Sequence, residues 1–311
     1  MSAVPVDVSF QGIDGLISSY WIDGVEPVLV DPGPSTSLEG LEQGLAHLGI
    51  KTTDICHVLL THVHLDHAGG VGHLVFDNPQ IQVHLHPQAV PHMVDPGRLV
   101  ESTRRTFGDS YDRLWGEVLP IDPDRICIWD SPEGCPVSKI RSIPTPGHVG
   151  HHVSYLEESE GCFLAGDALG VIFTSQAPVY PPTPPPGVDV PLWLKTLEEI
   201  EKIWPESFGI AHFGIHHDFE VRIAEMSRKL MALHDKVCVW MDQPEGFGRE
   251  LFEKEVRSEM SKYLPEKDVN SYFDVFPPAS DWDGMQLYLE RKNLKNSLLK
   301  SLDCGGDLLR S

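Results

Sequence analysis

The spacing of apolar and polar positions changes several times along the chain, and each change marks an element. Tyr20-Trp21-Ile22 and Val28-Leu29-Val30 are short β-prone runs on either side of the turn Asp23-Gly24, a hairpin signal. Asp31-Pro32-Gly33 breaks the second run, and Leu38, Leu41, Leu45 and Leu48 then recur at helical spacing. Ile55 to Leu60 is a nearly continuous apolar run, as expected of a strand covered on both faces. Ile81 to Leu85 alternates and predicts another strand. After a polar, partly helical stretch over residues 97–116, strands are predicted at Arg125–Trp129, Lys139–Ile143, His152–Leu156 and Cys162–Ala165. Residues 176–191 hold seven prolines and are expected to be extended. Pro191 suits the first turn of a helix running to Trp204, with Leu194, Leu197, Ile200 and Ile203 on one face. Pro205 ends it, and Phe208–Ala211 predicts a short strand.

Histidine divides the chain differently. There are 16, none after His234, so residues 235–311 carry no imidazole. This tail holds amphipathic pieces such as Glu250–Tyr263 and Met285–Leu299, expected to pack on the core or on a second subunit as a homodimer contact. The predicted organisation is therefore a domain over residues 1–235 and a mainly helical extension over 236–311.

Composition removes several function classes. Lys and Arg total 24 against 46 Asp and Glu, a formal charge of −22, which repels phosphate backbones and argues against nucleic-acid binding. A small anionic substrate stays open, because a bound cation can reverse the local sign. No apolar run is long enough to span a membrane. Residues 1–12 show neither the basic nor the apolar region of a secretory leader. The six cysteines are scattered without a Cys-x-x-Cys pair, so neither a thiolate metal site nor a disulfide scaffold is expected, and the expected compartment is a reducing cytoplasm.

The chemistry concentrates at Thr61-His62-Val63-His64-Leu65-Asp66-His67-Ala68-Gly69-Gly70, directly after the apolar strand. Side chains two apart in an extended chain share a side, so His62, His64 and Asp66 can converge. A turn brings in His67, and the two glycines let the backbone fold tightly into the next helix. Imidazole nitrogen with carboxylate oxygen suits Zn²⁺, and also Fe or Mn. Three further ligand types stand just past predicted strands: His148 in Thr145-Pro146-Gly147-His148, Asp167 after Phe163-Leu164-Ala165-Gly166, and His212 after Ala211.

This order, His-x-His-x-Asp-His, then His, Asp and His, resembles the metallo-β-lactamase superfamily over about residues 10–235. The resemblance implies an α/β fold, an αββα sandwich of two mixed sheets with helices outside, here with the C-terminal helical extension. It implies that His62, His64 and His148 bind one metal ion, that Asp66, His67 and His212 bind a second, and that Asp167 bridges them. Two divalent ions are implied, Zn²⁺ first, with Fe or Mn as alternatives. Asp31 matches a family position that is structural rather than a ligand. The implied activity is a hydrolase using a metal-bound hydroxide on a small ester, lactone, thioester or phosphodiester. Zinc-bound water can have a pKa near 7, and Asp66 is the expected catalytic group, orienting the hydroxide or accepting its proton.

Departures narrow the branch. The tyrosine that acyl-homoserine lactonases carry after the bridging aspartate is missing from Asp167-Ala168-Leu169-Gly170. The basic glutathione-binding residues of glyoxalase II enzymes, the basic surface of ribonuclease Z-like members and the first-motif glutamate of flavodiiron proteins are also missing. Persulfide dioxygenases, which hold one iron by positions matching His62, His148 and Asp167, give the alternative reading, a mono-iron sulfur dioxygenase. The chain more closely resembles a broad group of bacterial-type members, and that likeness carries no substrate with it. The Asp95–Trp115 insertion, with Arg98, Arg104 and Arg105, is expected either to form a lid whose arginines meet an anionic substrate or to be an amphipathic helix with a solvated basic face. His151, His152, His216 and His217 exceed the ligand set and are expected around it or on the surface. His57 is expected to be a hydrogen-bonded core histidine, with His84 and His86 structural.

Overall fold

The computed structural model describes residues 2–128, 137, 139–244 and 246–305. Eleven strands among them form two mixed sheets. The first runs in order β1 (Ala3–Asp7), β2 (Ser18–Ile22), β3 (Val28–Val30), β4 (His57–Leu59), β5 (Gln82–Leu85) and β6 (Ile126–Ile128), antiparallel up to β3 and parallel after it. The second comprises β7 (Ile140–Pro144), β8 (Val153–Glu157), β9 (Cys162–Leu164), β10 (Ser207–Gly209) and β11 (Ile215–His216), with β9 and β10 parallel and the other pairs antiparallel. The predicted strands are all present, most trimmed by a residue or two, since strand ends fray where the chain turns toward the site. Trp129, the end of one predicted strand, lies outside the described residues. The strands β1 and β11 carry no period that the sequence reading caught: β1 contains Pro5, and β11 is two residues long.

Alternation along each strand builds the layers. Val28, Val30 and Leu59 of the first sheet meet Val153, Tyr155 and Leu164 of the second in one buried cluster. Leu29, Val58 and Val83 point the other way, into the larger cluster that the helices cover. Two tyrosines cross between the sheets: the Tyr20 hydroxyl donates to the Ile210 carbonyl at 2.6 Å, and the Tyr155 hydroxyl to the Leu60 carbonyl at 2.8 Å. Each ties one sheet to a backbone oxygen where the other sheet's strand gives way to a site loop.

The helices on the first sheet's outer face are α1 (Leu38–His47), α2 (Leu65–Ala68) and α3 (Val71–Asp77). α4 (Val90–Val94), α5 (Gly97–Phe107) and α6 (Tyr111–Leu114) make up the insertion. α7 (Val190–Glu201) starts with Pro191 in its first turn, and the Asp189 carboxylate accepts from the Leu192 N–H there. α8 (Phe219–Trp240) is one unbroken helix across position 235.

The tail forms α9 (Phe247–Met260), α10 (Glu266–Phe273) and α11 (Pro278–Gly305). It packs on this chain's own core: Phe252, Val256, Tyr272, Phe273, Trp282 and Met285 belong to the same buried cluster as the sandwich helices. α11 lies against α8 and α9 and touches the proline run closely at one place. A Cβ on Gly284 would fall 1.9 Å from the Thr183 carbonyl oxygen and 2.7 Å from Pro184. Backbone cannot yield as a side-chain tip can, so the helix must move. Gly284→Ala is expected to cost about 1–3 kcal/mol, the usual range for overpacking. Denaturant unfolding of the two proteins checks this, and an unchanged midpoint would show that α11 docks more loosely than described.

Candidate metal centre

Five strand ends deliver the site. His62 and His64 follow β4, and Asp66 and His67 sit on α2 one turn later. His148 follows β7, Asp167 follows β9, His212 follows β10, and Asp31 follows β3. The seven side chains that the motif pattern singles out fall into two groups, His62–His64–His148–Asp167 and Asp66–His67–His212, each with ligand-type atoms within 4.8 Å of one another. Either group could hold a metal ion.

Asp167 joins them. Its Oδ2 lies 3.2 Å from His148 Nε2 and 3.9 Å from His62 Nε2, and its Oδ1 lies 3.4 Å from His67 Nε2 and 3.8 Å from His212 Nε2. Asp66 Oδ2 faces the same second pair, at 3.6 Å from His67 and 3.7 Å from His212. His64 turns Nδ1 inward, 3.0 Å from His148 Nε2.

In four of the five rings the other nitrogen is already occupied, and this fixes which nitrogen turns inward. His67 Nδ1 donates to Asp31 Oδ2 at 2.9 Å, His148 Nδ1 to the Pro182 carbonyl at 3.0 Å, and His212 Nδ1 to the Leu16 carbonyl at 3.2 Å. Thr61 Oγ1 donates to Asp31 Oδ2 at 2.6 Å and so accepts from His62 Nδ1 at 3.1 Å. Four Nε2 atoms thereby face the carboxylates. Asp31 manages this from a left-handed backbone (φ 49°), held there by bonds to the Thr61 N–H, the Thr61 hydroxyl and His67.

Burial and charge set the protonation. Burial presses His62 and His64 well below the usual imidazole value, and neighbouring imidazoles add to it. Burial also acts to lower His67, but Asp167, Asp66 and Asp31 outweigh it and hold that ring well above. Burial acts to raise Asp167, yet His67 and His148 hold it well below the usual carboxylate range.

Of the histidines outside the motif, His152 reaches the site. It is buried, its Nε2 accepts from the Asp167 N–H at 3.2 Å, and its Nδ1 donates to Thr145 Oγ1 at 2.8 Å. His151 accepts from the Val63 N–H at 3.4 Å, and His216 pairs with the Phe213 carbonyl at 3.2 Å. His57 and His84 pair with each other at 2.9 Å on neighbouring strands, away from the seven.

A cavity of about 130 Å³ opens over the cluster, with His64, Asp66, Asp167 and His212 on its floor. The insertion does overhang it, and Arg104 and Arg105 lie on the solvated basic face that was the second of the two expected alternatives. Leu99, Ser102, Thr103, Thr106 and Phe107 line it, whereas Arg104 pairs with Asp112 at 2.6 Å and Arg105 with Glu101 at 3.1 Å. Helical period explains the division, since Leu99, Thr103, Thr106 and Phe107 share one face and the arginines fall on the opposite side. The sequence reading also missed the far wall, Tyr272, Phe276 and Asp281 of the tail. Nothing local in the tail marks these residues as site residues. Only the docking of α10 and α11 brings them there.

Asp281 anchors that wall. It accepts from the Tyr180 hydroxyl at 2.6 Å and from the Thr183 N–H at 2.5 Å, on either side of the Pro182 carbonyl that orients His148. Burial raises its carboxyl to about 7, against the two hydrogen bonds. A carboxyl whose folded value exceeds its unfolded one destabilises the fold progressively as pH rises between the two, here from about 4 to about 7. The Asp281→Asn variant does not titrate. Wild type should therefore lose stability relative to it across that window, by about 1.4 kcal/mol per pH unit at most. Urea unfolding of both proteins at each pH measures the gap, and a gap independent of pH would show that Asp281 stays ionised.

Residues 12–207 match the family model described as the metallo-beta-lactamase superfamily, so His212 lies just past the matched stretch. A metallo-beta-lactamase fold-containing protein of Sulfurisphaera tokodaii is 26% identical over 219 residues, covering 69% of this chain and 78% of that one. A probable metallo-hydrolase of Bacillus subtilis is 27% identical over 184 residues, 54% of this chain and 56% of its own length. The thioesterase pkgB of Emericella nidulans is 28% identical over 157 residues, 48% of this chain but only 37% of that one. Among solved structures, a metallo-beta-lactamase family protein of Thermus thermophilus superposes with TM-score 0.65 at 22% identity, covering 94% of this chain and 93% of that one.

Proposed function

The chain belongs to the metallo-beta-lactamase superfamily, and from that premise we propose that it is a dinuclear metal-dependent hydrolase of a small ester, lactone, thioester or phosphodiester. The observation that carries this is the placement of Asp167, one oxygen toward His62 and His148 and the other toward His67 and His212. The donor set fits two ions. His62 Nε2, His67 Nε2 and Asp167 Oδ1 are buried with no hydrogen-bond partner. Leaving such atoms bare costs roughly 1–3 kcal/mol each unless something binds there. His62, His64 and His148 would hold one ion, Asp66, His67 and His212 the other, with Asp167 between them.

Nitrogen and oxygen donors without sulfur favour Zn²⁺, with Fe or Mn as alternatives. Bound there, two divalent ions supply Lewis acidity, making a water nucleophilic and polarising the bond under attack. The protein's own groups do the rest. Asp66, on the cavity floor with its side chain 12% exposed, accepts the proton of the attacking water at a carboxylate oxygen and returns it to the leaving group. Asp31, Thr61 and the Pro182 and Leu16 carbonyls hold the imidazoles in one tautomer, so the lone pairs need no reorganisation during turnover. The B. subtilis metallo-hydrolase and the E. nidulans thioesterase, by their names, support hydrolysis of this general kind.

A mono-iron dioxygenase would use His62, His148 and Asp167 alone and would leave the second group without a task. Purified protein should carry close to two zinc, iron or manganese ions per chain by elemental analysis. His212→Ala should lose about one of them and Asp167→Ala both, with hydrolysis of p-nitrophenyl acetate falling at least about 100-fold in either, as ligand loss does elsewhere. One iron per chain, retained in His212→Ala and accompanied by oxygen uptake on a persulfide, would overturn the hydrolase in favour of the dioxygenase.

A further inference from the structure

The cavity over the cluster has a consistent chemistry of its own. None of its lining residues is Lys or Arg, although its floor and one wall carry Asp66, Asp167 and Asp281. The arginines nearby are each paired: Arg104 with Asp112, Arg105 with Glu101, Arg249 with Asp283 at 2.8 Å in the next cavity outward, and Arg291 with the Pro186 carbonyl at 2.8 Å. No fixed cation therefore waits for a charged acyl group.

The walls are aromatic and nearly continuous. Phe107 meets Trp115 edge-on at 5.0 Å between ring centroids, and Trp115 and Phe276 lie 6.2 Å apart. Phe276 and Tyr272 are 5.0 Å apart, and both rings stand edge-on to His212, at 5.0 and 5.9 Å. Pro184, Pro185 and Pro186 also line it, with rigid apolar rings. Aromatic walls favour an aromatic guest, because offset and edge-on ring contacts add to simple burial.

Tyr272 stands out within this lining. The residue is 5% exposed and lines the cavity, and its hydroxyl makes no hydrogen bond among the described residues, so that hydroxyl is free to meet a guest there. Its ring stands edge-on to His212, and it lines the same cavity as Asp66 and Asp167.

Building on the hydrolase reading of this same site, we propose that the substrate is an ester or thioester of a compact, uncharged aryl carboxylic acid, and that Tyr272 is a catalytic residue whose hydroxyl donates to the acyl oxygen. Phe107, Trp115 and Phe276 hold the aryl ring. Water oxygen bonds to the acyl carbon while its proton passes to Asp66, and the carbonyl π pair moves onto the acyl oxygen facing Tyr272. When that pair returns, the bond to the alcohol or thiol breaks, and the leaving oxygen or sulfur takes the proton from Asp66. The products are the carboxylic acid and the alcohol or thiol, with no oxidant or further reactant needed.

Zinc-reconstituted full-length protein would be assayed on three esters with one leaving group: p-nitrophenyl benzoate, p-nitrophenyl acetate and mono-p-nitrophenyl terephthalate, which adds a charge to the same ring. The benzoate should exceed each of the others by about tenfold or more in kcat/KM, the scale on which a fitted apolar pocket discriminates. Tyr272→Phe should lower kcat about 100-fold with KM within about twofold and zinc content unchanged, the usual effect of removing one donor to a developing oxyanion. Independently of turnover, saturation-transfer NMR on metal-free protein should detect the ring protons of acetophenone, a neutral aryl ketone with no leaving group, and lose them in Phe276→Ala. Equal or faster turnover of the acetate or terephthalate ester, an undiminished kcat in Tyr272→Phe, or no transfer to acetophenone would overturn the inference while leaving the hydrolase in place. Zinc-loaded protein that hydrolyses none of the three would overturn the hydrolase reading and the role of Tyr272 together.

Discussion

Five imidazoles and two carboxylates share one buried space, and an imidazole is useful to a cation only through a bare nitrogen. Each ring has two nitrogens, so the outward one must be fixed before the inward one is defined. Asp31 fixes His67 directly and His62 through Thr61. The Pro182 and Leu16 carbonyls fix His148 and His212. Those four partners come from a turn after β3, the loop before β2, the start of β4's site loop and the proline run. Except for Thr61, beside His62 in the same loop, the site's protonation pattern is therefore set by segments that the ligands themselves do not belong to. Inside low-polarity surroundings this matters more than in water, because a misplaced proton would leave a buried lone pair or charge uncompensated.

The same requirement explains why the tail belongs to the working structure. The Pro182 carbonyl can orient His148 only if the proline run stays put. Proline supplies rigidity but no N–H donors with which to anchor itself. Asp281 of α11 supplies the anchor from outside, bonding Tyr180 and Thr183 on either side of Pro182. α11 approaches closely enough to do so because Gly284 lets its backbone rest on the Thr183 carbonyl. A carboxylate in the last helix is thus linked, through one loop, to a ring in the cluster. The helices that bring it also bring Tyr272 and Phe276, so the anchor and the cavity wall arrive as one unit.

Charge is partitioned in the same economical way. The chain carries −22 overall, yet its interior contains a cluster rich in potential positive charge. The arginines of the insertion are spent on local acidic partners at the surface and leave the cavity uncharged apart from its carboxylates. A cation bound between Asp66 and Asp167 would then be the dominant positive charge in the cavity, with no arginine competing for the substrate.

The sequence by itself determined where most strands lie and which metal-type side chains stand just past them, because those depend on short-range rules, while the two-sheet sandwich and the grouping of the ligands were implied by the resemblance to the superfamily. A period of two lays out strands, and a ligand placed just past a strand inherits its position from the sheet. His62, His64, Asp66, His67, His148, Asp167 and His212 were legible in this way as candidates, and the supporting place of Asp31 was implied by the resemblance alone. What only the tertiary structure decided was everything carried by contacts between segments distant in the chain. Which face of α5 looks into the cavity depends on how the insertion seats against Trp115 and the proline run, and it turned the arginines outward. His152 looks no different from His151 in the sequence, and only the approach of the Asp167 N–H separates them. Tyr272, Phe276 and Asp281 sit in ordinary amphipathic helices whose local pattern says only that one side is buried. What that side is buried against is fixed by packing, and packing is not written at any one position.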